Sequence, residues 1–391
     1  MKVIHILYHS ESPRYQNWEF DLFFDGFHVR TAQQIWKRVK KYQHECWRPE
    51  RKLKKIITGE KDGIIYRAFP SIHINHTKEY SPLMLRELKK QCREEKILIH
   101  LASAFNDLTY LIGYSLPNVP IVSGHLGGVP YTFNLFTFVY QLPLSIIERS
   151  LLKRIDKILI SSQKIYDAFS KFSPNVILCM PLGVDFNEFK PLEKQEARSK
   201  LGFPSNKKLL LHVGRFYQYK GLEIILNTYK ELKNMYDVEL IVIGGQKNDH
   251  LFGKLVESGA IVKERIPNLE LIPYYSAADV YLLPKVVGLG PIEKVRQYSG
   301  IGIAPLESLA CGTPVVGTTL RHFLGNDEEL KKVGKIPKST EDVVRCVSEI
   351  FDDPSLYKNC RDIARKYYDW EVIVKSIINI YDELFEKYYV T

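Results

Sequence analysis

Short apolar runs and longer amphipathic stretches alternate along the whole chain. In the first half the runs are VIHILY (3–8), IIYRAF (64–69), KILIHL (96–101), VPIVSG (119–124), KILISS (157–162) and NVILCMP (175–181). They are short and rich in β-branched and aliphatic residues, which predicts strands. Thr31 followed by Gln34 predicts a capping box at a helix start. Beyond it Ile35, Val39 and Tyr42 share one helical face, while Lys37, Arg38, Lys40 and Lys41 cover the rest, a basic amphipathic helix. The polar, proline-containing stretch GVDFNEFKPLEKQEARSKLGFPSNKK, from residue 183 to about 206, breaks the pattern and predicts a connection between domains. The alternation then restarts. KLLLHVGR (208–215), VELIVIGG (238–245), VYLLPK (280–285) and PVVGTT (314–319) predict strands. Residues 221–235 predict a helix with Leu222, Ile225, Leu226 and Tyr229 on one face, and the tail from about 340 reads as helical. Such alternation implies parallel sheets covered by helices on both faces.

Composition adds bounds rather than detail. A chain of 391 residues, 45% apolar, is long enough for two domains with ordinary cores. It holds no run of about 18 apolar residues, so no membrane-spanning helix is expected. MKVIHILYHS reads as a first strand rather than a signal peptide. The cysteines at 46, 92, 179, 311, 346 and 360 lack the close spacing of a zinc or redox motif, so reduced thiols in a cytoplasmic chain are expected. The net charge of +10 is one-sided. Residues 1–190 carry 27 Lys and Arg against 18 Asp and Glu, and the remainder 28 against 27. A basic half fits an anionic partner, whether nucleic acid, acidic lipid or a phosphate-bearing substrate, and fits equally a solvated lysine-rich face. Nucleic acid is disfavoured because no aromatic binding motif interleaves the basic residues.

Candidate chemistry concentrates in YSGIGIAPLESLACGTPVVG, residues 298–317. Gly300 and Gly302 flank Ile301 in a tight turn that feeds a helix, and Pro305 suits a first helical turn. Exposed N–H groups and the helix dipole make such a turn a phosphate site, although close packing alone also explains a Gly-x-Gly. Glu307 lies one turn further in. A carboxylate repels phosphate, so its expected partners are hydroxyls, as on a ribose. Gly214-Arg215 closes one strand and Lys220-Gly221 opens the next helix, so two cations on one loop can clamp a diphosphate. His125, in SGHLGG, follows the VPIVSG strand. It can face a cleft at the strand's carboxyl end or be packed and hydrogen-bonded.

Five segments in order resemble the retaining glycosyltransferases of family 4: SGHLGG, LGVDFNEFKP, LLLHVGRFYQYKGLE, IPYYSAADVYLLPK and PLESLACGTPVVG. The resemblance implies the GT-B fold, two Rossmann-like doubly wound α/β domains facing each other across a cleft. Residues 1–190 would bind the acceptor and residues 191–370 the nucleotide sugar, with a helix over 371–391 packing back towards the N-terminal domain. It implies that Arg215 and Lys220 neutralise the donor diphosphate without a metal or other cofactor, and that Gly300, Ile301 and Gly302 approach diphosphate and sugar. Glu307 would hydrogen-bond the ribose and His125 would face the transferred sugar.

Two departures stand out. The family pattern pairs two glutamates separated by seven residues, and Ser299 occupies the first position. A hydroxyl there makes a weaker hydrogen bond than a carboxylate, which motivates a competing reading as a catalytically weak nucleotide-sugar-binding protein. Glu293, in the long segment PKVVGLGPIEKVRQYSG, is an alternative sugar contact. The first strand is followed by YHSESPRYQNWEF instead of a Gly-Gly turn. Relatives that glycosylate lipid-linked acceptors suggest an anionic membrane surface as partner. YTFNLFTFVYQLPLSII (131–147) is a candidate for that contact or for a buried helix beside the cleft.

Overall fold

The computed structural model describes residues 1–7, 20–23, 27–75, 78–104, 107–125, 146, 148–216, 220–247, 249–285 and 300–390. The chain divides into two compact units, Met1–Leu182 with Ile373–Thr391, and Gly183–Val372.

The first unit contains β1 (Lys2–Ile6), β2 (Gln43–Glu50), β3 (Ile57–Lys61), β4 (Ile64–Pro70), β5 (Ile72–Asn75), β6 (Lys78–Tyr80), β7 (Ile97–Leu101), β8 (Ile121–His125), β9 (Lys157–Ile160) and β10 (Val176–Leu178). Eight of them form one sheet in the order β10-β9-β8-β7-β1-β2-β4-β3. All neighbours are parallel except the edge strand β3, which runs antiparallel to β4. The central strands β1, β7 and β8 are buried along their whole length, as a sheet covered on both faces requires.

β2 escaped the apolar pattern because QHECWRPE is polar. It is nevertheless buried from His44 onwards. Glu45 makes this feasible: its carboxylate pairs with Lys2 Nζ at 2.9 Å and Arg67 Nε at 3.1 Å, and accepts from Trp47 Nε1 at 2.7 Å. A charge can be buried when its partners come with it.

The first helix runs Phe27–Arg38, so Thr31 lies inside it and is not its cap. Its hydroxyl donates instead to the Pro181 carbonyl at 3.3 Å. Ile35 is buried while Lys37 and Lys40 are exposed, which is the amphipathic face read from sequence. The helix Trp370–Tyr389 counts with this unit from Ile373 onwards. Tyr381 Oη meets His100 Nδ1 at 2.5 Å, Asp382 accepts from Tyr42 and Lys41, and Tyr389 Oη donates to the Ile97 carbonyl at 2.7 Å.

The second unit contains β11 (Lys208–Val213), β12 (Val238–Gly245), β13 (Ile261–Glu264), β14 (Val280–Leu283), β15 (Val315–Gly317) and β16 (Gly334–Lys335). They form a six-stranded parallel sheet, β13-β12-β11-β14-β15-β16. Leu222, Ile225, Leu226 and Tyr229 pack with Leu210, Leu240, Val280 and Val316 in its core.

Where the sequence suggested a boundary at residue 190, the structure divides at Leu182–Gly183. Val184 bridges Asp369, and Arg361 donates to the carbonyls of Phe186 and Phe189, both at 2.6 Å, which ties 183–190 to the second unit. The rest of the polar stretch holds a helix, Lys194–Leu201, capped by Glu193, so it is not an open connector.

Candidate functional site

In a parallel sheet the carboxyl ends of the strands gather loops that bind ligands. β11 ends at Val213, and Gly214 and Arg215 follow, with Arg215 exposed. Lys220 closes the same connection just before the helix Leu222–Leu232. Between them Gly221 takes φ +77°, and a Cβ there would lie 2.0 Å from the Pro284 carbonyl oxygen. Only glycine fits this position. The turn thereby seats Lys220 against the end of β14. Burial, then the Arg215 charge, pushes the Lys220 ammonium down from its ordinary range. An anion held by both would favour the charged ammonium and offset the repulsion between the two cations.

His212 lies beneath this turn with no solvent exposure. Its Nδ1 lies 2.8 Å from the Leu282 carbonyl, which can only accept, so Nδ1 carries the proton. Nε2 is left as a buried lone pair beside Gly214, without a hydrogen-bond partner among the described residues. Burial holds the imidazole down at about 4.

The glycine turn lies in the same unit. Ile301 is buried and anchors it, while Gly302, at φ +89°, opens the helix Ile303–Ala310. Pro305 stands in the first turn, which carries no acidic side chain. Glu307 is 4% exposed and accepts a 2.9 Å hydrogen bond from Tyr275 Oη. Burial first, then the Glu307 charge, raises the Tyr275 phenol well above its usual range, so it stays a donor. Thr313 donates to the Tyr275 carbonyl at 2.6 Å and Ser308 to the Thr313 carbonyl at 3.0 Å. The Gly-Thr-Pro break thus locks the tyrosine that orients the glutamate. Tyr281 Oη donates to the Val213 carbonyl at 2.9 Å and stacks beside His212, linking Glu307's support to the end of β11.

Of the residues singled out in the sequence, Arg215, Lys220, Gly300, Ile301, Gly302 and Glu307 all fall in the second unit. Ser299 and Glu293 lie outside the described residues, as do YHSESPRYQNWEF except Phe20 and YTFNLFTFVYQLPLSII except Ile146. His125 ends β8 in the first unit. It is fully buried, edge-on to Phe169 at 4.8 Å between ring centroids, and burial drops it to about 3.

Two cations were missed. Lys285 follows β14 and its carbonyl accepts from Thr318 Oγ1 at 3.3 Å, while Arg321 Nε donates to the Thr318 carbonyl at 2.6 Å. Burial, then Lys220 and Arg321, pushes Lys285 down to about 7. The rule that drew attention to Arg215, a cation directly after a predicted strand, marks Lys285 after VYLLP as well.

The buried imidazoles set an acid limit. An unfolded histidine titrates near ~6.5, whereas folded His125 and His212 titrate at about 3 and about 4. As pH falls below about 6.5 the unfolded chain binds protons that the folded chain excludes, so stability declines. The urea midpoint is expected to be flat above pH ~7 and to fall by pH ~5, less steeply in His212→Gln. A midpoint unchanged over that interval would contradict the neutral buried state.

Residues 193–367 match the family model described as glycosyl transferases group 1. The chain is 28% identical over 202 residues to D-inositol 3-phosphate glycosyltransferase of Thermobifida fusca, a match covering 48% of this chain and 41% of that one. The chain spans about half or less of the length of the curated relatives it resembles. Among solved structures, sucrose-phosphate synthase of Thermosynechococcus elongatus superposes with TM-score 0.71 at 17% identity, covering 99% of this chain and 100% of that one. Anabaena HepE in complex with UDP-glucose gives 0.66 at 15% identity, covering 98% and 100%.

Proposed function

We propose that this chain, whose residues 193–367 match the group 1 glycosyltransferase model and which has the GT-B fold, moves a sugar from a nucleotide diphosphate donor to an acceptor hydroxyl with retention of anomeric configuration. The observation that carries the reading is the gathering of Arg215, Lys220, the Gly302 helix start and the Tyr275-held Glu307 in one unit.

Charge on the departing diphosphate is the main electrostatic problem of the reaction. Arg215 and Lys220 are placed to neutralise it, which lets the chemistry proceed without a metal. Glu307, oriented by Tyr275, hydrogen-bonds the ribose hydroxyls. The sugar is attacked on the face the diphosphate leaves, and the departing phosphate takes the acceptor proton. A uridine donor is the first to test, since HepE was solved with UDP-glucose. Incubation with UDP-sugars should release UDP, and NMR of the product should show a retained anomeric centre. Trapping a covalent glycosyl-enzyme, or finding inverted product, would overturn the mechanism. Donor binding with no turnover would favour the weak-binder reading that Ser299 motivates.

For the acceptor, the basic first half supports an anionic or lipid-linked molecule. The Thermobifida relative is named for a phosphorylated acceptor. In the first unit, the helix Pro82–Glu94 and Ile56 line a groove bearing Leu83, Arg86, Lys89, Lys90 and Arg93. Ile56 and Leu83 are exposed apolar residues among these cations. That pairing suits docking at the cytoplasmic face of an anionic membrane, and the free cysteines fit a reducing compartment. No helix among the described residues is long and apolar enough to cross a membrane. Each basic residue near an anionic surface contributes about 1 kcal/mol. Changing Lys89, Lys90 and Arg93 together to Ala is therefore expected to weaken flotation with phosphatidylserine vesicles roughly 100-fold. Equal flotation with neutral and anionic vesicles would remove the membrane from the reading.

A further inference from the structure

We propose that three buried histidines on neighbouring strands, His5, His44 and His100, form an acid-sensitive latch that holds the helix Trp370–Tyr389 on the sheet of the first unit and releases it in mild acid while the sheet stays folded. The latch uses no residue of the proposed donor site.

β1 stands between β2 and β7, and His5 pairs in register with Cys46 on one side and His100 on the other. His44 lies two residues before Cys46, so strand alternation puts all three imidazoles on one face of the sheet. His5 Nε2 and His44 Nδ1 lie 2.9 Å apart, so one donates to the other, and the His5 and His100 ring centroids are 5.2 Å apart. His100 Nδ1 meets Tyr381 Oη at 2.5 Å with the two rings edge to face, which is where the helix touches the cluster. His5, His44 and His100 are 3%, 0% and 6% exposed, and His44 Nε2 has no hydrogen-bond partner among the described residues.

The groups around the cluster are Cys46 of β2, Thr31 and Trp36 of the helix Phe27–Arg38, Tyr42, Cys179, and Tyr381 of the closing helix. Asp382, next to Tyr381, accepts from Tyr42 and Lys41. Glu45 alternates to the other face of β2, towards Lys2 and Arg67. Among the described residues no carboxylate acts on the three imidazoles, and the charges that act on His5 are those of His100 and His44. A proton added to the closed cluster therefore meets another imidazole and no anion. Burial, then the other two imidazoles, pushes His5 well below its ordinary range; burial lowers His44 to about 4, and burial with the His44 charge lowers His100 to about 3. A cavity of about 20 Å³ lined by His5, Thr31, His100 and Pro181 lies against the cluster, with room for one water. Loosening the helix wets His100 first, through the lost Tyr381 contact, and then its neighbour His5. Each imidazole that is neutral when closed and wetted when open raises the opening constant about tenfold per pH unit below ~6.5.

Hydrogen exchange read by mass spectrometry on the full chain, corrected for the intrinsic pH dependence of amide exchange, gives the opening constant of peptides within residues 373–389. Between pH ~7 and pH ~5 that constant is expected to rise roughly 30-fold if His100 alone is wetted and roughly 1,000-fold if His5 follows, while β7 keeps its protection. The rise should shrink to within about threefold when His5→Gln and His100→Gln are combined, in a protein checked for an intact melting transition at neutral pH. Tyr381→Phe keeps the ring and removes the phenol, so the helix should open more readily at neutral pH and retain its pH dependence. Asp382→Asn should retain it as well. Equal protection at the two pH values overturns the latch, as does a pH dependence that survives in the double variant or vanishes in Asp382→Asn. Loss of protection in residues 373–389 and in β7 together would show the unit unfolding as a whole, which also overturns it.

Discussion

Replacing Arg215 or Lys220 by Ala is expected to lower kcat/KM for sugar transfer by about 10²–10³ each, the usual cost of removing one preorganised donor from a developing anion. The two should not contribute equally to binding. Arg215 is exposed at the end of β11. Lys220 is seated by the Gly221 turn, and burial already depresses its ammonium. An anionic ligand therefore gains more from Lys220 per contact, because less water screens the pair. On the proposed reading both act on one diphosphate, so the double variant should lose less than the product of the single losses. A thermal-shift titration provides the readout independent of turnover. Nucleoside diphosphates should raise the melting temperature of the wild type by mass action, and the rise should shrink in either variant. An undiminished rise in both would move the donor away from this loop.

The largest loss of stability is expected from Asp279→Ala. Its Oδ2 accepts from Arg198 Nη2 at 2.8 Å and from the Leu209 backbone N–H at 2.7 Å, and its Oδ1 accepts from Lys194 at 2.9 Å. Arg198 is 4% exposed and also donates to the carbonyls of Ala277 and Ser205. Removing the carboxylate strands a buried guanidinium, which costs about 3–5 kcal/mol. For a unit of this size that corresponds to a fall of roughly 10 °C in melting temperature. Lys194→Ala removes a half-exposed partner of the same carboxylate and should cost under about 1 kcal/mol. Calorimetry comparing the two variants separates the buried pair from the surface pair. Equal small losses would show that Arg198 finds another partner.

Asp279 also illustrates what a sequence conveys and what it withholds. IPYYSAADVYLLPK stood out by resemblance, but nothing in the string says that its aspartate holds the helix Lys194–Leu201 against β11. The apolar runs located β1, β4, β7, β8, β11, β12, β14 and β15 because a strand buried on both faces must be apolar at every position. The same rule hid β2. His44, Glu45 and Arg48 are polar in the string and buried in the fold, since Lys2 and Arg67 arrive from other strands to satisfy Glu45. The Thr31 capping motif failed for a related reason. A hydroxyl that could cap a helix locally found a more distant carbonyl, that of Pro181.

By itself, then, the sequence determined two α/β units, the strand-end cations Arg215 and Lys220, and the glycine turn before Glu307. Periodicity, turn chemistry and charge at strand ends are local properties, and they are written in consecutive residues. Only the tertiary structure decided that Tyr275 orients Glu307, that His212 lies buried beside Gly214 as a neutral imidazole, and that Lys285 and Arg321 share the Thr318 turn. Each of those depends on side chains dozens of residues apart meeting in a low-dielectric interior, where a single partner or its absence sets the charge state. No local pattern encodes that meeting.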